Sequence, residues 1–299
     1  MLAGPTASGK SAIAMVLAET HGLEIVSADA MQVYIGMDIG TAKPTTDERT
    51  RVPHHLIDVI TPAQSFSVAA YVERAHAAIA AILERGSVPL VVGGTGFYLR
   101  ALREGLPTVP EADPAAQDPL WKEVERGRLT VLMAELRERA PVDAERAGAN
   151  PRRVVRTLEV MRRTGRPPSE FPFTAPAYRF AHLVLQPPVE ELTQRIAERT
   201  TAMFEAGLVA EVEALLRDYP VQGTALQAIG YKEVVQHVRG NSTLTEAIDA
   251  VTRATVRYAK RQRTWFRAEK DAVVVNAAGS AALREVESWL LTVLSEHGR

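Results

Sequence analysis

The residues with the clearest chemical meaning stand at the start of the chain: Gly4-Pro5-Thr6-Ala7-Ser8-Gly9-Lys10-Ser11. The run matches G-x-x-x-x-G-K-[ST], a loop whose backbone N–H groups turn inward around phosphate oxygens. The helix that follows adds the positive end of its dipole. Lys10 is placed to reach the phosphates of a nucleotide or other diphosphate, and the Ser11 hydroxyl to help hold Mg²⁺. A carboxylate, Asp29, follows the apolar run Leu23-Glu24-Ile25-Val26-Ser27-Ala28. As a strand of an open α/β sheet, that run delivers Asp29 to the ligand crevice beside the phosphate loop. A plain helix N-cap is the bland alternative. A second apolar run, Val88-Pro89-Leu90-Val91-Val92, ends in Gly93-Gly94-Thr95-Gly96-Phe97-Tyr98 rather than in an acid. The missing carboxylate argues against a motor-type ATPase. What remains is backbone room and the Thr95 hydroxyl, which also suits a helix cap.

These groups need elements to position them. Residues 10–20 read as a helix with Ile13, Val16 and Leu17 on one side, closed by His21-Gly22. The strand ahead of the loop has only Met1-Leu2-Ala3, shorter than usual for such a sheet. Residues 66–85 form an alanine-rich helix. Residues 107–119, rich in Pro, Asp and Ala, read as a connector. Helices are expected over 120–140 and 152–163, the second stopped by Thr164-Gly165-Arg166-Pro167-Pro168. The sheet resumes at 180–185. A helix from Val189 then carries Arg195 and Arg199 on one face, suited to solvent or to phosphate. Gln227-Ala228-Ile229-Gly230-Tyr231-Lys232-Glu233 reads as a joint that breaks helix. The expected fold is α/β: a P-loop NTPase-like parallel sheet core, residues 1–112 and 177–299, with a helical insertion domain at 113–176.

Composition bounds the function. The 299 residues carry 35 Lys+Arg against 36 Asp+Glu, a net charge of −1, and 46% are hydrophobic, so disordered and fibrous classes drop out. With no cysteine, thiol catalysis and Cys-ligated metals are excluded, and a reducing compartment fits. No apolar run approaches the roughly 18 residues of a membrane span. Gly4 and Pro5 interrupt any signal-peptide pattern. A cytoplasmic protein without membrane contact is expected. The pair His54-His55 lacks further ligands around it and is not read as a metal site. Between Arg146 and Arg166 stand seven arginines and one acid, Glu159. Between Arg253 and Lys270 stand seven basic residues and one acid, Glu269, interleaved with Tyr258, Trp265 and Phe266. Either block alone suits a solvated helix face; together they point to nucleic acid.

In order along nearly the whole chain, the segments 4–11, 27–34, 36–44, 53–58, 93–98, 152–160, 227–233 and 259–267 resemble the tRNA dimethylallyltransferases. The runs Gly36-Met37-Asp38-Ile39-Gly40-Thr41-Ala42-Lys43-Pro44 and Ala259-Lys260-Arg261-Gln262-Arg263-Thr264-Trp265 are the specific part; the phosphate loop is shared by many enzymes. Members transfer a dimethylallyl group from dimethylallyl diphosphate to N6 of adenosine 37, beside the tRNA anticodon. The resemblance implies that Asp29 is the general base, Thr95 a hydroxyl orienting the substrate, and Lys10 and Arg199 cations on the diphosphate. It implies tRNA contacts from Asp29, Ala30, Met31 and Gln32, from Thr95, from Arg152, Arg153, Val154, Val155 and Arg156, and from Gln227, Ala228, Ile229, Gly230, Tyr231 and Lys232. Gln117 belongs to the same set, though members often carry a basic residue there. The implied cofactor is Mg²⁺, the partners are the tRNA anticodon stem-loop and dimethylallyl diphosphate, and the protein is expected to act as a monomer. A small-molecule kinase would fit the core equally well but leaves the basic blocks without a use. A noncatalytic RNA-binding switch would need hydrolysis or switch motifs that the sequence does not offer.

Overall fold

Short strands, mostly apolar apart from the pair His54–His55, build one parallel sheet: β1 (Leu2–Ala3), β2 (Leu23–Ala28), β3 (His54–His55), β4 (Val88–Gly93), β5 (Leu183–Leu185) and β6 (Val273–Val275). The computed structural model describes residues 1–219, 225–269 and 271–296, so Lys270 of the second basic block lies outside the described residues. The strand order is β3-β2-β4-β1-β5-β6. Although β1 has two residues, both are wholly buried, and Leu2 pairs with Val92 on one side and Leu183 on the other. Burying such a leucine contributes roughly 1.5–3 kcal/mol, enough to fix so short a strand.

The helices are α1 (Lys10–His21), α2 (Thr46–Arg51), α3 (Val68–Glu84), α4 (Gly96–Glu104), α5 (Pro114–Glu125), α6 (Leu129–Arg139), α7 (Pro141–Ala147), α8 (Pro151–Thr164), α9 (Val189–Glu205), α10 (Leu208–Asp218), α11 (Tyr231–Val238), α12 (Leu244–Arg267) and α13 (Gly279–Glu296). The chain divides into two compact units, Met1–Arg103 with Ala177–Arg299, and Glu104–Pro176. In the first, α1 and α13 cover one face of the sheet through residues such as Leu17 and Val286. The other face meets α3 and α4 through Ile79 and Leu102, together with Phe266 from α12. A third cluster joins Val33, Tyr34 and Met37, just past β2, to α10 and α11. The P-loop NTPase-like α/β core expected from the sequence is the fold observed.

The second unit is helical, with α5, α6, α7 and α8 around Leu120, Leu136, Val155 and Leu158. Its ends are laced by backbone bonds from Thr174 to Leu106 (2.8 Å) and from Thr108 to Pro172 (2.9 Å). Two expectations change here. The stretch read as a connector runs into helix: the Asp113 side chain accepts the N–H groups of Ala115 and Ala116, and Pro114 takes the first helical position. The helix expected over 120–140 is two, because Gly127 turns the chain at φ +75° between α5 and α6.

The carboxylate of Glu159, 1% exposed, organises this unit. It accepts from Arg156 (2.5 Å), Arg163 (2.7 Å), Gln117 (2.9 Å) and the Asp113 N–H (3.0 Å). Burial pushes its carboxyl up, and these donors outweigh that, holding it at about 2. A carboxyl held below its unfolded value of about 4.3 stabilises the fold fully above that value, and the benefit is lost as pH falls toward the folded value. Glu159→Gln should therefore cost roughly 1–3 kcal/mol at neutral pH. In thermal unfolding, the wild-type advantage should be present at pH 7 and shrink below about pH 4. Equal stability at pH 7 would contradict this role.

Candidate active site

The phosphate loop leaves the carboxyl end of β1 and runs into α1. Pro5 accepts two bonds inside the loop, from the Ser8 N–H (3.2 Å) and from Lys10 Nζ (3.2 Å). Burial draws the Lys10 ammonium down to about 8, with Asp29 opposing the shift and Arg199 adding to it. From α9, Arg199 donates to Thr6 Oγ1 (2.6 Å), while Arg195 is shared between Glu191 (2.6 Å) and the Ser8 carbonyl (3.4 Å). Of the two arginines on one helix face, Arg199 is thus the one turned fully into the loop. The Ser8 hydroxyl is buried without a hydrogen-bond partner. A cavity of about 860 Å³ opens over Lys10 and Ser11, bounded by Arg195, Arg199, Ala42 and Leu283.

Asp29 follows β2. Its Oδ1 accepts the N–H of Met31 (2.8 Å) and of Gln32 (3.4 Å), which fixes its rotamer. Thr95, just past β4, accepts the N–H of Ala30 at 3.0 Å and so ties this turn to the Asp29 segment. Tyr71, Tyr98 and Tyr258 lie within reach of the Asp29 charge. Burial raises the pKa of each, Tyr258 to about 12, and the charge of Asp29 adds to the shift in all three. Tyr71 and Tyr98 stack with ring centroids 4.0 Å apart, and the buried Tyr71 hydroxyl has no hydrogen-bond partner. Asp29, Thr95, Lys10 and Arg199 therefore converge at the carboxyl ends of β1, β2 and β4, around an anion-binding loop and one carboxylate. Such a crevice can hold a diphosphate and accept a proton beside it.

Other expected residues fall elsewhere. Gln227 and Lys232 are exposed, Ala228 and Ile229 partly so, while Gly230 is buried and Tyr231 is wholly buried. In the helical unit, Arg152 and Arg153 are exposed, Arg153 donating to the Arg146 carbonyl (3.1 Å). Val154 and Val155 are in that unit's core, and Arg156 and Gln117 are spent on Glu159. On α12, Arg253, Arg257, Lys260, Arg261 and Arg267 share the exposed side, whereas Arg263 turns in to the Pro187 carbonyl. His55 bonds Glu24 and His54 bonds the Val52 carbonyl, both as structural contacts.

Gln262 was not singled out from sequence. Its amide accepts from the Thr6 N–H (2.8 Å) and donates to the Gly94 carbonyl (2.8 Å), joining the phosphate loop to the glycine turn after β4. The signal was present: position 262 lies on the same side of α12 as Thr255, Ala259 and Phe266, all buried, so a polar residue there needs partners. Ala259 in turn packs on Leu192 and Ile196 of α9, which steadies Arg199. Among the described residues no three His, Asp or Glu side chains converge as a metal cage. The exposed Ser11 hydroxyl instead fits an ion carried largely by phosphate oxygens and water, as is usual for Mg²⁺.

Residues 32–269 match the family model described as IPP transferase. The chain is 53% identical over 291 residues to a protein named tRNA dimethylallyltransferase from Thermus thermophilus, covering 97% of this chain and 96% of that one. It is also similar to a crystal structure of the full-length tRNA isopentenylpyrophosphate transferase from Bacillus halodurans, with TM-score 0.72 and 37% identity over 99% of this chain and 96% of the other. A structure of a eukaryotic dimethylallyltransferase acting on tRNA matches with TM-score 0.80 at 27% identity, over 99% of this chain and 77% of that one.

The Lys10 geometry sets a pH dependence. The cation is lost as pH rises through about 8, so its contribution to anion binding should be largest below that value and fade above it. Comparing inorganic diphosphate affinity of wild type and Lys10→Met by calorimetry, the wild-type excess should shrink from pH 7 to pH 9.5. A wild-type excess that stays constant over that range would contradict this pH dependence, and equal affinities at pH 7 would remove Lys10 from the binding step.

Proposed function

The chain belongs to the IPP transferase family, and from that premise we infer that it is a tRNA prenyltransferase: it transfers a dimethylallyl group from dimethylallyl diphosphate to N6 of adenosine 37, releasing diphosphate. The observation that carries this reading is the convergence of one carboxylate, Asp29, with the cations Lys10 and Arg199 in a single crevice.

The chemistry asks for that combination. An aromatic amine is a weak nucleophile, and bond formation to carbon would leave positive charge on N6, so N6 must lose one of its two protons as that bond forms; Asp29 accepts it. On the other side of the reacting carbon, the C–O bond to diphosphate breaks and negative charge grows on the leaving oxygens. Lys10, Arg199 and the loop amides are already oriented toward that charge, a contribution of several kcal/mol in sites of this kind. The Ser11 hydroxyl would hold Mg²⁺ together with diphosphate oxygens, and the ion would supply further positive charge there. The phosphate loop thus stabilises a leaving group rather than transferring a phosphoryl. Thr95 Oγ1 accepts the Ala30 N–H with one of its two lone pairs, and its hydroxyl hydrogen can serve a substrate atom. Adenosine 37 is stacked in the anticodon loop, so it flips into the crevice to meet Asp29.

The RNA is gripped by charge. The exposed stripe of α12 and the exposed pair Arg152 and Arg153 suit phosphates of the anticodon stem-loop, and Gln227 and Lys232 offer further polar contacts. Among the described residues no helix is long and apolar enough to cross a membrane. One chain supplies every residue named in the crevice, which supports action as a monomer, and a tRNA substrate supports a cytoplasmic location.

Incubation with unmodified tRNA, Mg²⁺ and labelled dimethylallyl diphosphate should yield labelled N6-dimethylallyladenosine. Asp29→Ala should slow single turnover by at least roughly 10²-fold while tRNA affinity changes far less. Brisk ATP hydrolysis without tRNA, and no labelled nucleoside, would favour a kinase instead. Replacing Arg257 and Arg261 together by Ala should weaken tRNA binding and flatten its salt dependence by about 0.7–0.9 in log–log slope per lost phosphate contact. An unaltered slope would return that stripe to solvent.

A further inference from the structure

The carboxylate of Glu211, on α10, receives four donors. Three are consecutive backbone N–H groups, of Asp38 (3.0 Å), Ile39 (2.7 Å) and Gly40 (3.2 Å). The fourth is the Tyr231 hydroxyl at 2.7 Å. A carboxylate has about four acceptor sites, so this one is filled by its neighbours. Successive amides turned onto one anion form a nest that shapes the loop around it. The loop is otherwise irregular, and Asp38 and Ala42 are exposed. Gly40 is required by the same contact: a Cβ there would stand 2.6 Å from the Tyr231 ring.

The contact extends in two directions. The next carbonyls, Thr41 and Ala42, accept from Gln32 Nε2 at 3.3 and 3.2 Å. Gln32 Oε1 accepts from Ser27 of β2 (3.0 Å), and its N–H reaches Asp29 Oδ1 (3.4 Å). Ala42 also borders the cavity over Lys10. In the other direction, Tyr231 is the first residue of α11, directly after the joint that carries Gln227. Packing of α10 does not need Glu211, because Leu208, Val212 and Leu215 supply its buried side. Lys43 holds the far end of the loop through the Tyr34 carbonyl (2.8 Å), Asp38 (2.5 Å) and Asp58 (2.7 Å), so the loop keeps one anchor without Glu211.

Resting on the transfer reaction inferred above, we propose that Glu211 is a positioning residue for that reaction: through the 38–42 loop and Gln32 it sets the Asp29 segment, and through Tyr231 it links that segment to the joint at 227–230. Displacing a general base by about an ångström can cost on the order of 10²-fold in rate without much loss of binding. Glu211→Gln keeps the shape and offers one carbonyl oxygen to donors that now meet an amide N–H as well.

The test measures single-turnover transfer to tRNA, KM for both substrates, melting temperature, and amide hydrogen exchange in wild type, Glu211→Gln and Tyr231→Phe. Glu211→Gln should lower the turnover rate roughly ten- to a hundredfold, with each KM and inorganic diphosphate affinity within about threefold of wild type. Exchange should quicken at residues 38–40 and also at 30–32. Tyr231→Phe, which leaves the three loop bonds in place, should lose less. A Glu211→Gln rate within about twofold of wild type, or a loss that tracks a large fall in melting temperature, overturns the proposal. So does faster exchange that stops at residue 40. Should wild type transfer nothing to tRNA, the reaction itself is wrong, and the exchange at residues 30–32 alone decides whether Glu211 positions Asp29.

Discussion

The buried carboxamide of Gln262 accepts the Thr6 N–H and donates to the Gly94 carbonyl, both at 2.8 Å, so it sets the separation of the phosphate loop and the glycine turn after β4. Thr95, one residue on, then accepts the Ala30 N–H and carries that setting to the segment of Asp29. Three strand ends are laced by two side chains. A site that holds a leaving diphosphate and a proton acceptor at once needs such a fixed spacing, because misplacement of either half loses rate. The parallel sheet supplies the coarse arrangement by bringing the carboxyl ends of β1, β2 and β4 together. The amide supplies the fine one.

Charge is arranged by the same logic. Lys10 and Arg199 are both drawn down by burial, and Asp29 is the group that counters this for each of them. The Asp29 carboxylate is oriented by backbone N–H groups, and among the described residues it forms no salt bridge with either cation. The three tyrosines around Asp29 keep their protons, since burial and the nearby carboxylate both raise them. The helical unit uses its charges differently: Arg156, Arg163 and Gln117 are spent on the buried Glu159, while Arg152 and Arg153 are exposed.

What could be read from sequence follows from how local each feature is. The phosphate loop is eight adjacent residues with one geometry, and Asp29 and Thr95 needed only the rule that ligands gather beyond strand ends. The sheet core and a helical stretch between its halves were legible from periodicity and breakers. The partners of Gln262 and Glu211 were not, because they lie 168 residues away at Gly94 and 172 away at Ile39. Nor did composition separate the arginines of α8 that face outward from those held by Glu159; helical spacing puts both kinds on neighbouring positions. The split between α5 and α6 turned on one glycine in an otherwise continuous helical pattern.

The most direct test of this account is the single-turnover rate of dimethylallyl transfer to unmodified tRNA by Gln262→Leu, at saturating substrates and well below the melting temperature of the variant. Leucine preserves the packing of α12 but leaves the Thr6 N–H and the Gly94 carbonyl without their partner. If the amide sets the spacing between diphosphate and base, the rate should fall by roughly tenfold or more, in line with about 1–3 kcal/mol for an unsatisfied buried group. A folded variant that transfers at the wild-type rate would contradict it.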